Sequence, residues 1–218
     1  KNFYSAHGRA QEYKKLSVSE GAVYDALIEI DLSLLKPMAA LPFHPSEAVE
    51  IDELLANPGD ILREVEKRAH DITGGKVPFS LVDKIENGNI RVQQGVIAGC
   101  AGGMYSNIAE AASILDGKGI GDGEFELTVY PSSIPVDSEL TKNGIREKLV
   151  ASGAVMKTCF CGPCFGAGDV PANGTLSVRH TTRNFPNREG SKPSDRQLSA
   201  VILMDARSIA ATAANGGI

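Results

Sequence analysis

IRVQQGVIAGC, residues 90–100, is the stretch that decides which class of fold this sequence can adopt. Its apolar side chains up to Ala98 predict a buried strand that ends at Gly99. Tyr105–Leu115 then predicts a helix, and Phe125–Tyr130 predicts the next strand. A strand, a helix and a further strand in this order form the repeating unit of a parallel sheet. The stretch therefore predicts an α/β fold with a mainly parallel sheet and helices on both of its faces.

The same alternation of elements continues on both sides of this unit. Towards the N terminus, Ala26–Leu32 alternates apolar and acidic residues and predicts a half-buried strand. Towards the C terminus, Asp137–Ser152 predicts a helix that is broken near Gly144. The remaining predicted elements are strands at Ala154–Lys157, Thr175–Arg179 and Ala200–Met204 and a helix at Ala206–Ala214. Residues 1–22 are polar and are expected to form an N-terminal segment or linker, and residues 23–218 a single domain.

Composition and charge narrow the possible functions. The chain has 218 residues with a net charge of -5 and no basic cluster, which argues against nucleic acid as a main partner. No apolar run is long enough to predict a membrane span, so no membrane partner is expected. The polar start shows no signal peptide, which together with the four cysteines favours the reducing cytoplasm. The first residue is Lys1 rather than Met, and we interpret the chain as a fragment of a longer protein.

Cysteines carry the clearest chemical signal in this sequence. Cys161-Gly-Pro-Cys164, with Cys100 far upstream, supplies three thiols that can hold an iron–sulfur cluster and leave one iron open. A structural zinc held by these three and Cys159 is an alternative, although the spacing from Cys159 to Cys161 is tight for tetrahedral zinc. Cys-Gly-Pro-Cys is also a redox-dithiol sequence, but here it lies late in a long chain with no preceding Trp. Because Cys100 and the Cys161 turn each follow a predicted strand, their loops are expected to meet at one edge of the sheet.

A loop with two arginines follows the predicted strand Thr175–Arg179. Arg183 and Arg188 stand five positions apart in RNFPNR, and two such guanidinium groups can hold the carboxylates of a small acid. A solvated surface turn is the alternative reading. The position of the loop after a strand favours a ligand-binding role, because sites collect at the carboxyl ends of parallel strands.

Taken together, these motifs resemble the aconitase family in content and in order. The resemblance covers most of the chain after residue 22 and lies in YDALIEIDL (24–32), LKP (35–37), LPF (41–43), GC (99–100), CGPCFG (161–166), RNF (183–185) with Arg188, and the final strand and helix from Ser199 to Ala214. It implies a three-layer α/β/α domain like the third, cluster-ligating domain of that family.

The resemblance also implies a function for the cysteines and arginines. Cys100, Cys161 and Cys164 would bind a [4Fe-4S] cluster whose open iron takes part in dehydrating a hydroxy di- or tricarboxylic acid, and Arg183 and Arg188 would hold the carboxylates of this substrate. An open iron is sensitive to oxidation, so the cluster is expected to be labile in aerobic preparations. The family's acid–base residues belong to other domains, so no catalytic residue is expected within this chain, which should be inactive alone. The alternative is a non-catalytic module stabilised by zinc or by a cluster.

Three departures from the family pattern indicate a divergent branch. Ala101-Gly102-Gly103 follows the first cysteine where the family has Thr-Asn, Thr182 stands where Asn precedes the first arginine, and Cys159 is additional. These differences leave open which acid is the substrate.

Overall fold

The computed structural model describes residues 1–121 and 123–218 and divides the chain into two compact units, Lys1–Leu35 and Lys36–Ile218. None of the helices in the described ranges has the length and apolar character that crossing a membrane requires. The expected boundary of the family domain after residue 22 remains a prediction.

In the first unit the predicted strand at Ala26–Leu32 does not form. Residues 1–35, all of which the structure describes, contain one short helix, α1 (Asn2–Ala6), and two 3₁₀ turns, at Ala10–Glu12 and Leu32–Leu34. Leu27 and Ile28 are 89% and 83% exposed. The alternating pattern is real, but a strand needs a neighbour to pair with its N–H and C=O groups, and none is formed within this unit.

The second unit is built around a seven-stranded, mainly parallel sheet. The strands of the chain are β1 (Met38–Ala40), β2 (Ala48–Glu50), β3 (Ile85–Glu86), β4 (Asn89–Ile90), β5 (Gln94–Ile97), β6 (Glu126–Val129), β7 (Val155–Met156), β8 (Leu176–His180) and β9 (Ala200–Leu203). The order across the sheet is β2-β1-β9-β8-β5-β6-β7, and the five strands from β9 to β7 are parallel. Antiparallel β1 and β2 form one edge, and β3 and β4 make a separate hairpin. The predicted three-layer α/β/α class with a mainly parallel sheet is confirmed.

The second unit also contains helices. They are α2 (Ile51–Ala56), α3 (Pro58–Thr73), α4 (Gly99–Gly102), α5 (Tyr105–Leu115), α6 (Ile134–Lys142), α7 (Ile145–Ala151) and α8 (Ala206–Ala214). Of these, α4 to α7 lie between parallel strands of the sheet. The predicted bounds of α5 and α8 are confirmed, and these two helices pack against each other. The predicted break at Gly144 is also confirmed, because Gly144 takes the left-handed conformation, with φ 68°, between α6 and α7.

One side chain, that of Glu66, fixes α3 to the segment that follows it. Glu66 accepts hydrogen bonds from the backbone N–H groups of Leu81 and Val82, at 2.6 and 2.8 Å, and from the Ser80 hydroxyl at 3.0 Å. A helix side chain therefore satisfies donors that would otherwise be unpaired at a turn.

The two faces of the central strands differ in chemistry. On one face, Leu176, Val178 and Ile202 are buried among apolar side chains. On the other face, Gln94 pairs in register with Ser177, and Arg179 follows two positions later. The covering layer over this polar face includes the segment 163–169, which contains a 3₁₀ turn rather than a long helix. This polar face lies directly beneath the second cysteine turn.

Candidate functional site

The first cysteine turn lies at the carboxyl end of β5, which pairs with β8 on one side and β6 on the other. Cys100 is in the single-turn helix α4, immediately after Gly99, whose φ of 74° lies in the left-handed region. The backbone N–H of Ala98 donates to the carbonyl of His180 at 3.2 Å, so this turn is fastened to the end of β8. A Cβ atom on Gly102 would collide with the same carbonyl, and only glycine allows this close approach.

The second cysteine turn is a tight 3₁₀ turn at Gly162–Cys164. The N–H of Cys164 donates to the carbonyl of Cys161 at 3.1 Å, and the N–H of Phe165 donates to that of Gly162 at 3.0 Å. A side chain on Gly162 would meet the carbonyl of Ala167 and the ring of Phe160. The sequence thus folds the two cysteines onto one compact turn.

The two cysteine turns approach each other, as the positions of their strands predict. A Cβ atom on Gly99 would lie 2.9 Å from the Cys164 sulfur, so the backbone beside Cys100 contacts the second turn directly. Cys164 is buried, whereas Cys100 and Cys161 are exposed. Burial first, and then the neighbouring Cys161 and the more distant Cys100, raise the pKa of Cys164, while the N–H of Thr182 opposes this rise.

The thiols of Cys100, Cys161 and Cys164 are the type of donor that iron–sulfur clusters use. In the described residues, 1–121 and 123–218, no three His, Cys, Asp or Glu side chains are grouped as the ligands of one metal ion would be. A tetrahedral zinc needs its ligands around a single point, and the zinc alternative stays a prediction. A cluster places each thiolate on a different iron, so its ligands stand farther apart, and its cationic irons would relieve the repulsion between neighbouring thiolates. All four cysteines are free thiols, and Cys159 is half-buried.

The arginine loop follows β8 at the same edge. Arg183 is exposed and donates from Nη1 to the Thr182 hydroxyl at 3.2 Å. Arg188 is half-buried, and its Nε has no hydrogen-bond partner in the structure. Because a buried guanidinium N–H is normally satisfied, the unused donor suits a ligand with acceptor oxygens.

Asn184, between the two arginines, anchors the loop to the sheet. It is 3% exposed, and its Nδ2 donates to the carbonyls of Leu41 at 2.8 Å, Ala40 at 3.1 Å and Val201 at 3.2 Å. The loop is therefore held to β1 and β9 by one side chain. Sequence reasoning missed this role, because a polar residue in a loop gives no sign of its burial.

Further unpaired polar atoms lie at the end of β8. His180 Nδ1 and Thr181 Oγ1 are both buried without a partner. Arg188 Nε, in the loop that follows, is a third unsatisfied atom of this part of the chain. Unsatisfied buried atoms are uncommon and call for an explanation such as a bound ligand or water.

A mainly parallel α/β sheet with two cysteine turns and an arginine loop at its carboxyl edge defines a class of α/β domain whose site is built from loops that follow the strands. The chain belongs to the aconitase family, because the model of that family (aconitate hydratase) matches residues 2–211.

The chain is similar in sequence to 3-isopropylmalate dehydratase large subunits. That of Thermoanaerobacter sp. (strain X514) is 29% identical over 205 residues, which are 93% of this chain and 41% of the relative. That of Clostridium botulinum (strain Alaska E43 / Type E3) is 30% identical over 191 residues, which are 87% of this chain and 38% of the relative. The chain thus spans about two fifths of the length of these curated relatives, and it is an aconitase-family, hydratase-like domain.

Proposed function

We propose that residues 23–218 form the cluster-binding domain of an aconitase-type hydro-lyase. The reaction would be the reversible dehydration of a hydroxy di- or tricarboxylic acid. The observation that carries the proposal is the approach of the Cys100 and Cys161–Cys164 turns at the sheet edge that also bears the arginine loop. The match to the aconitase family over residues 2–211 supports it.

Cys100, Cys161 and Cys164 would hold a [4Fe-4S] cluster. When bound, such a cluster supplies an open iron that acts as a Lewis acid on a substrate hydroxyl. The protein's own contribution is geometric. Glycines at 99 and 102 let the two turns lie against each other and against β8, and the Thr182 N–H stabilises the thiolate form of Cys164.

Arg183 and Arg188 would bind the carboxylates of the substrate. Their guanidinium groups can each make two parallel hydrogen bonds to a carboxylate, which fixes both charge and orientation. Arg188 Nε is a donor without a partner in the folded chain, and this supports an acceptor ligand at the loop. The names of the relatives, 3-isopropylmalate dehydratase large subunits, support a hydroxy-acid substrate.

The proton-transfer groups would come from the remaining domains of the parent protein. The relatives extend well beyond the part matched by this chain, which covers 41% of the first and 38% of the second. General acid–base groups contribute about 10²–10⁴-fold each. We therefore expect the isolated chain to lack hydratase activity and the complete parent to have it. Robust turnover by the isolated chain would contradict this division of roles.

The cluster assignment is tested by anaerobic reconstitution with iron and sulfide. We expect bound iron and broad visible absorbance for the wild-type chain, with both greatly reduced by Cys161→Ser or Cys100→Ser. Cys159→Ser is the matched control, a serine change two positions from Cys161 that should leave the iron content unchanged. If Cys161→Ser retained full iron content, or if zinc rather than iron filled the site, the assignment would be wrong.

A further inference from the structure

Arg179 is a buried cation on the polar face of the sheet. It is 1% exposed, the largest of the fully buried side chains, and lies in β8 one residue before its end. Burial lowers its pKa to about 10, with nearby acidic groups opposing the change, so the side chain is still charged at neutral pH. An isolated buried charge is costly unless it is hydrogen-bonded or paired.

Neutral acceptors surround the guanidinium of Arg179. Its Nε donates to the Ser177 hydroxyl at 3.0 Å, and its Nη2 donates to Gln94 Oε1 at 2.8 Å. Its Nη1 donates to the carbonyl of Pro163 at 3.0 Å, and its Nη2 also donates to the carbonyl of Asp169. The sheet thus supplies two acceptors, and the loop that carries the second cysteine turn supplies the other two.

Two carboxylates, those of Glu189 and Asp169, act on Arg179 without bonding to it directly. Glu189 accepts from the hydroxyls of Ser191 and Ser199. Burial first, and then the nearby Asp169 carboxylate, raise the pKa of Tyr130, and Asp169 Oδ2 is buried with no hydrogen-bond partner. Among residues 1–121 and 123–218, Arg179 makes no ion pair within 4.0 Å of a carboxylate. Glu189 and Asp169 therefore act on this positive charge at longer range, and its direct partners in the described ranges are neutral acceptors.

The acceptors in the loop show what Arg179 holds in place. Pro163 lies between Cys161 and Cys164, and Asp169 lies five residues beyond Cys164. One guanidinium therefore joins the cysteine turn, the segment after it and the sheet. A lysine has one ammonium nitrogen where the arginine has a planar guanidinium with several N–H groups. A lysine therefore could not make all of these hydrogen bonds together.

We propose that Arg179 is a positioning residue for the cluster: it fixes the Cys161–Cys164 turn to the sheet and places a buried positive charge beneath a thiolate-ligated group. The inference rests on the proposed function, since it assumes that this group is a cluster. Thiolate ligands give a cluster excess negative charge, and net charge and hydrogen bonding are among the factors that set its reduction potential. The buried cation places one positive charge next to the cysteine turn, bonded to the carbonyl of Pro163 within it.

Two readouts separate the charge of Arg179 from its geometry. In Arg179→Gln the reconstituted 218-residue chain should lose iron to a chelator about 10–100-fold faster, as for other residues that orient metal ligands. Its cluster should also be harder to reduce. At a fixed potential the ratio of oxidised to reduced cluster should rise about tenfold, which corresponds to a decrease in midpoint potential of about 59 mV for a one-electron couple. Arg179→Lys keeps the charge but not the fork, so it should lose iron quickly while its midpoint potential stays near that of the wild type.

Arg68→Gln is the matched control. Arg68 is a half-buried arginine that donates to a backbone carbonyl, that of Pro42, at 3.1 Å. This change should leave both iron loss and potential unchanged. Circular dichroism verifies the fold of each variant. If Arg179→Gln does not fold, Ser177→Ala tests the geometry by removing the acceptor of Arg179 Nε together with the hydrogen bond that Ser177 donates to Gln94.

The outcomes distinguish this inference from the function on which it rests. A wild-type chain that takes up no iron would refute the proposed cluster site. A wild-type chain that binds a cluster, with folded Arg179 variants that match it in both iron loss and potential, would refute only the positioning role. If Arg179→Lys and Arg179→Gln lowered the midpoint potential of the cluster equally, the contribution of the Arg179 charge to that potential would be refuted.

Discussion

Replacing Asn184 by alanine tests whether one buried side chain holds the arginine loop to the sheet. Its Nδ2 donates to three carbonyls, at 2.8, 3.1 and 3.2 Å. The amide carries only two N–H groups, so these contacts amount to about two net hydrogen bonds of about 1 kcal/mol each. The carbonyls left unpaired by the change add to the loss. We expect Asn184→Ala to reduce the free energy of unfolding by about 2–3 kcal/mol.

The assay is urea unfolding followed by circular dichroism, supported by thermal unfolding. For a chain of this length, 2–3 kcal/mol corresponds to a decrease in Tm of roughly 4–12 °C. Asn215→Ala is the matched control: Asn215 Nδ2 also donates to a backbone carbonyl, that of Ala211, at 3.0 Å, but the contact is exposed. The control should lose less than about 0.5 kcal/mol.

An equal, small loss in the two variants would refute the anchoring role of Asn184. The reasoning also predicts an effect on function that the control lacks. Because Asn184 adjoins Arg183, a loosened loop should weaken substrate use by the complete parent protein while leaving iron content unchanged. Wild-type substrate use in a clearly destabilised Asn184→Ala variant would show that the anchor serves stability alone.

Four further substitutions test other parts of the site and fold. Arg183→Lys and Arg188→Lys should each lower kcat/KM of the complete parent about 10–100-fold with unchanged iron content, because lysine keeps the charge but loses the bidentate contact. Unchanged kinetics in both variants would show that the loop is a solvated turn that does not bind substrate. Gly99→Ala should abolish iron uptake, since its Cβ would lie 2.9 Å from the Cys164 sulfur, whereas Gly117→Ala, with a similar positive φ and no atom within 4 Å, should only lower stability. Glu66→Gln should lower the free energy of unfolding by about 1 kcal/mol at neutral pH. Burial raises the pKa of Glu66, but hydrogen bonds from backbone N–H groups lower it further, so its net pKa lies below the ordinary value. The contribution of Glu66 to stability is therefore present above the unfolded-state pKa of about 4.3 and lost as the pH falls through the lower folded-state pKa. At that low pH the wild type and Glu66→Gln should be equally stable. A difference in their free energies of unfolding that persisted there would contradict this.

Elements with a clear local pattern could be predicted from the sequence. The bounds of α5 and α8 follow from helical periodicity, and the break between α6 and α7 follows from Gly144. Strand bounds were less accurate. The predicted strand Ile90–Ala98 is divided between β4, which contains Ile90, and β5, because the first residues pair with a hairpin partner rather than with the sheet.

Features that depend on distant partners could not be predicted. The pattern at Ala26–Leu32 is typical of a strand, but strand formation requires a neighbour that the local sequence does not reveal. The burial of Arg179 is equally hidden, because its acceptors come from Gln94, far upstream, and from a loop. The approach of the two cysteine turns was predictable, since both follow parallel strands and such strands end at one edge.

The pairing of β5 with β8 has a consequence for the order in which the protein is assembled. Gln94 and Ser177 are joined by a hydrogen bond across 83 positions of sequence, and the intervening chain contains β6, β7 and the second cysteine turn. Contacts of such long range require the closure of a large loop and form slowly. During synthesis, Cys100 leaves the ribosome long before the strand that completes its surroundings. Under the proposed function, iron would therefore be delivered to a domain that has already folded. A nascent chain that stops before β8 would expose the Cys100 thiol without the strand that completes its surroundings.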